Sequence, residues 1–265
     1  HDVVLFEKGD PPRPNTPPEG GELRPITSAI DWKYGAALKR GPIWYRLNSA
    51  TGPYQPEHLR LGLAEASAFN GANHHVKADL LKVDKVRANG VRRTYDFIEK
   101  NEQYYTGVEP VADVAVLMSE PTAHWYLPDR VHKGFKMPEN VRGIGQALAE
   151  LHVPFDVVLD EDVQQGIDYP VLIMPNVACM SEEQAGAITR FVEGGGSLIA
   201  TGVTSLYNEN YRVRDDYALA DIFGAHHGAE SPDIIKKARG RGLSAYLSGT
   251  PEDDFYRSGL PGPLQ

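Results

Sequence analysis

Residues 170–202, PVLIMPNVACMSEEQAGAITRFVEGGGSLIATG, constrain the fold more than any other stretch of this chain. Pro170 to Met174 is an apolar run too short for a helix, which suits a strand buried on both faces. Ser181 reads as a helix N-cap, Gln184 three residues on completes a capping box, and Glu182 and Glu183 face the positive helix end. Ala185, Ile188, Phe191 and Val192 recur at helical spacing, and Gly194 to Gly196 stop the helix. Ser197 to Thr201 is a second buried strand. A strand, a helix and a strand within so few residues make a right-handed crossover with parallel strands. The fold class is α/β.

The same pattern recurs on both sides. Ala112–Met118 and Phe155–Leu159 are further buried strands, with a helix from Pro138 whose inward stripe is Ile144, Leu148 and Leu151. A short helix over 217–223 ends at Gly224, and Leu243–Leu247 is the last strand expected. The order β-α-β-β-α-β-α fits a flavodoxin-like, doubly wound parallel sheet over residues 107–265. Residues 1–106 have another rhythm: strand Val3–Phe6 ending at Glu7, a Pro/Gly-rich loop, a helix to Lys39, strand Pro42–Leu47, a helix over 56–70, a short strand over 72–76 and a long helix over 86–105. Strand, long loop and helix in turn match the last three units of a (β/α)8 barrel, whose active face is built by the loops after the strands. The expected architecture is a partial (β/α) barrel followed by the flavodoxin-like sheet, the alternative for 1–106 being a small open α/β layer.

Composition removes several function classes. The formal net charge of -9 opposes a nucleic-acid or anionic-membrane surface. No apolar run approaches the ~20 residues that span a bilayer, and no signal peptide is visible. One cysteine, Cys179, excludes an internal disulfide. The chain opens on His1 rather than Met and reads as a piece of a longer or processed protein. Its location would be cytoplasmic if the upstream segment carries no signal.

Four phrases coincide in order: ADVAVLMSE, GQALAELHVPFDVV, YPVLIMPNVACMSEEQAGAITRFVEGGGSLIATG and DYALADIFGA. Together they resemble the trimerisation domain of family 42 β-galactosidases, a module related to class I glutamine amidotransferases. GPIWYRLN and LRLGLAEASAFNGANHHV resemble, more weakly, the family's last two barrel strands and the helix between them. The resemblance implies a glycoside-hydrolase-like protein acting on a carbohydrate substrate and assembling as a homotrimer; no cofactor and no metal are expected. The aromatic-rich loop 119–137, with Trp125, Tyr126 and Phe135, is a candidate for the contact between copies.

Retaining glycosidases need two carboxyl groups about 5–5.5 Å apart. Laid on the family's seventh strand, GPIWYRLN puts Leu47 where the nucleophilic glutamate is expected, so that chemistry does not carry over. Glu7 remains the carboxylate at a strand end on the expected active face, a candidate acid/base or sugar-hydroxyl ligand. Trp44, Asn48 and Tyr54 are candidate substrate contacts, although aromatics more often pack than stack on a sugar. A scaffold with no chemistry is the competing reading.

Cys179 stands between a strand and a helix, where amidotransferase-like enzymes carry a nucleophile. The glycines that permit a sharp nucleophile turn are missing, Glu182 and Glu183 oppose a thiolate, and no acid-paired histidine is recognisable downstream. Cys179 is read as a packing or loop residue for which serine is a nearly neutral replacement. His74-His75 and His226-His227 are adjacent pairs that cannot both face one metal on a strand.

Overall fold

The computed structural model describes residues 4–8, 29–38, 43–47, 63–64, 67–69, 74–76, 85–126, 137–230 and 232–258. The chain divides into two compact units, His1–Pro110 and Val111–Gln265.

In the first unit, β1 (Val4–Lys8), β2 (Ile43–Leu47) and β3 (His74–Val76) lie side by side in chain order, all parallel. Sequential parallel neighbours are what three successive barrel strands require. Helix α1 (Ala29–Ala37) buries Ile30, Trp32 and Ala37. Helix α2 (Lys85–Lys100) buries Val91, and its C-terminal end passes into a short 3-10 turn over Glu102–Tyr104.

The second unit is a six-stranded sheet built from β4 (Val114–Met118), β5 (Phe155–Leu159), β6 (Val171–Met174), β7 (Ser197–Thr201), β8 (Ile234–Arg239) and β9 (Gly242–Leu247). Their spatial order is β5-β4-β6-β7-β9-β8, parallel throughout except for β8, which pairs antiparallel with β9 at the edge. Without the edge strand this is the flavodoxin order, second-first-third-fourth-fifth. Helices α3 (Glu139–Glu150), α4 (Asp160–Gln165), α5 (Glu182–Gly194), α6 (Ala220–Phe223) and α7 (Pro251–Ser258) complete it.

The central crossover forms as its residues dictate. Ser181 accepts from the Gln184 amide while the Gln184 side chain accepts from the Ser181 amide. Ala185, Ile188 and Val192 are buried against Leu172, Met174 and Leu198 of the sheet. At Gly195 the chain turns with φ 120°, a region that glycine enters without steric cost. Gly196 leaves the space that the Phe191 ring occupies.

Three expectations are corrected. Leu151 is 60% exposed, because α3 ends at Glu150 and the chain reverses there, so only Ile144 and Leu148 of that stripe are buried, with Val141 one turn before them. Strand β1 runs through Glu7 to Lys8 instead of ending at Glu7. The last forty residues hold β8 and α7 besides the expected strand. Among the described residues no helix is long and apolar enough to cross a membrane.

Candidate functional site

The three strands of the first unit set the level of its candidate residues. Glu7 stands level with Arg46, and Arg46 with His75, so these three backbone positions form one row across the strands. Trp44 is level with Leu5, and Leu47 with Lys8 and Val76. Asn48 and Tyr54 lie outside the described residues.

In the second unit the place to look is the C-terminal edge of the sheet beside β4, where the strand order reverses. There β4 runs into Ser119, β5 into Asp160, β6 into Asn176 and β7 past Thr201. Across this crevice the chain's own groups bond to one another. Asp160 accepts from the Glu120 amide and from the Gln184 side chain, both at 2.8 Å. Burial pushes its carboxyl above the usual range, and these bonds pull the other way. Asn176 turns with φ 48°, donates its amide to Thr201 Oγ1 at 2.9 Å and accepts from the Val203 amide at 3.0 Å.

Cys179 is fully buried below this edge. Its amide donates to Thr122 Oγ1 at 3.0 Å, and burial pushes its thiol up to about 11, against a hydrogen bond from Thr122. A thiol that stays protonated and sealed from solvent is no nucleophile. The structure does supply the acid-paired histidine that the sequence hides: His226 Nδ1 lies 2.6 Å from Asp216 Oδ2. Asp216 is held by the Tyr217 and His227 amides, and the bond to His226 is the main reason its carboxyl sits below the usual range. But His226 is exposed while Cys179 is buried, so the two make no catalytic pair. Among the described residues no three metal-ligating side chains gather.

One buried carboxyl escaped the sequence reading. Glu252, near the start of α7, is fully buried, with Oε1 2.5 Å from Thr201 Oγ1 and Oε2 without a hydrogen bond. Nothing in a polar PEDDFYRS segment marks the second residue as the buried one.

Among the described residues the second unit thus has a flavodoxin-like strand order, with hydrogen bonds bridging its C-terminal edge. Residues 112–227 match the family model described as the β-galactosidase trimerisation domain.

The chain is similar to family 42 β-galactosidases. It is 32% identical over 108 residues to β-galactosidase GalA of Bacillus licheniformis, a match covering 40% of this chain and 16% of that protein. The cold-adapted β-galactosidase from Rahnella sp. R3 superposes with a TM-score of 0.72 at 14% identity, over 97% of this chain and 49% of that one. Gan42B, a family 42 β-galactosidase from G. stearothermophilus, gives 0.69 at 17%, over 96% and 48%. The chain thus spans about half the length of the solved structures it matches. Because those matches take in both units, the trimerisation domain and the three-stranded unit before it share the fold of these enzymes.

The buried position of Cys179 revises the expectation for its replacement. Cys179→Ser places a more strongly polar hydroxyl in a fully buried site, at a cost of about 1–3 kcal/mol. In urea denaturation the serine variant should fall below Cys179→Ala, and the native thiol should react with a disulfide reagent at least ten times more slowly than free cysteine. Rapid labelling of the folded chain contradicts this account.

Proposed function

We propose that this chain belongs to a carbohydrate-hydrolysing protein, β-galactosidase-related in substrate class. The trimerisation domain would serve assembly and not chemistry, and the first unit would supply the end of a catalytic barrel. The single observation that carries the reading is the match of residues 112–227 to the model described as the β-galactosidase trimerisation domain. The assembly proposed is a homotrimer.

Glu7 is our candidate acid/base or sugar ligand, with Trp44, Asn48 and Tyr54 as candidate substrate contacts. Its support is a place one residue from the end of β1, in a row with the cationic Arg46. Leu47, at the position that the family resemblance gives to the nucleophile, favours a second reading: a binding or scaffold module. A neutral alkyl group cannot form a glycosyl-enzyme bond.

One substitution separates the two. In the full-length protein, Glu7→Gln should lower kcat on an aryl galactoside by about 10²-fold or more, the usual worth of a positioned acid/base. Sugar binding should survive. Full activity in that variant removes Glu7 from the chemistry. Absence of any turnover by the full-length wild type gives the scaffold reading first place.

A further inference from the structure

Two segments distant in sequence bring their tyrosines together. Tyr207 and Tyr211 stack with ring centroids 4.9 Å apart and planes 16° from parallel. Tyr126 lies beside both, at 5.6 and 6.3 Å. Its neighbour Trp125 is 51% exposed and meets His124 edge-on. Tyr211 and Val213 are also exposed.

A strained turn holds this surface in place. Tyr207 and Val213 form an antiparallel bridge, and the Asn208 amide donates to the Arg212 carbonyl at 2.9 Å. Asn208 Oδ1 collects the amides of Asn210 and Arg212. Tyr211 takes φ 59°, a left-handed conformation that a bulky side chain rarely adopts. The turn is tied to the crevice: the Met180 amide donates to the Tyr207 carbonyl, the Tyr207 amide to the Ala178 carbonyl, and Arg214 to the Met180 carbonyl. Strain kept by so many bonds, in order to present an aromatic ring to solvent, points to use of the ring.

We propose that the Trp125–Tyr126–Tyr207–Tyr211 face is where this domain meets a second copy of the chain. The inference rests on the assembly reading above and names its surface. Three observations favour a copy as the occupant. All four residues lie within the segment that matches a trimerisation domain. Copies of a chain with net charge -9 repel one another, so they can approach where aromatic rings rather than carboxylates are gathered. Tyrosine and tryptophan are also the residues that dominate association energies, since they bury much area at little conformational cost. In a closed trimer the contact is head-to-tail, so this face seats against a different patch of the neighbour.

Tyr211→Gly tests it with little danger of unfolding, because glycine relieves the turn while deleting the ring. Sedimentation over a concentration series of the full-length protein should show the variant's dissociation constant raised at least tenfold, and at least a hundredfold with Trp125→Ser added. The far-ultraviolet dichroism of the separated subunits should not change. A wild type that assembles, with both variants assembling equally well, overturns this surface and leaves the assembly reading standing. A wild type that remains a monomer at every concentration overturns both. If the variants keep their assembly but lose quenching of tryptophan fluorescence by galactose, the face is a sugar platform and the proposal fails.

Discussion

Glu252→Gln should remove most of a fall in stability that the wild-type chain shows as pH rises from 5 to 8. Burial pushes the Glu252 carboxyl from 4.5 up to about 7, against hydrogen bonds from Thr201 and its own amide, with Asp253 and Asp254 adding to the rise. Between those two values the folded chain binds a proton that the unfolded chain has released. Stability therefore declines as pH climbs through this window, and the decline levels off above about 7. A rise of that size corresponds to roughly 3 kcal/mol, most of it lost between pH 5 and 8. Glutamine keeps the shape, accepts from Thr201 and does not ionise. Asp160, also raised by burial, acts with the same sign in both chains. The Arg257–Glu139 pair, at 2.9 Å, is present in both chains and cancels in the comparison. Urea denaturation of both chains at pH 5 and 8 measures the difference. An unchanged slope in Glu252→Gln means that Glu252 ionises near its ordinary value.

How much of this was legible depended on how locally each feature is determined. The crossover over 170–202 could be read because its cap, apolar face and glycine stop are all short-range, and the structure reproduces each one. Strand β8 could not, because it is an edge strand whose residues alternate between exposed and half-exposed. Such a strand has no core face to write into its sequence, and its lysines are the usual guard on an open edge. Helix α7 buries only Pro251, Glu252 and Phe255, too few apolar residues to show a helical period.

The site divides in the same way. That Cys179 lacks the glycines of a nucleophile turn was readable from its neighbours, but its burial was not, since its contacts reach as far as Thr122, 57 residues away. His226 and Asp216 are brought together by a turn and the short helix α6, and the aromatic face joins Tyr126 to residues more than eighty positions on. Tyr207 and Tyr211, spaced around Asn-Glu-Asn, were the available hint of a turn presenting rings.

Gly143→Ala should destabilise the second unit, while Gly186→Ala, the same change on another helix, should not. Both glycines lie inside helices, where alanine is favoured by about 1 kcal/mol on propensity alone. At Gly186 the added methyl would meet only the end of the Arg190 side chain at 3.4 Å, so the propensity gain should appear almost in full. At Gly143 the methyl would overlap the backbone carbonyl of Glu252, where α7 crosses α3. Backbone cannot rotate aside as a side chain can. The clash has to lift α7, pulling Phe255 from its buried place, parting Glu252 from Thr201 and lengthening the Arg257–Glu139 pair. Overpacking of this kind costs about 1–3 kcal/mol, occasionally more, which outweighs the propensity term. Melting curves should thus move in opposite directions for the two variants, and amide exchange across 251–258 should quicken only in Gly143→Ala. A Gly143→Ala variant as stable as Gly186→Ala would mean that α7 slides along α3 at no cost, and that the close approach of the two helices does not hold the C-terminal segment in place.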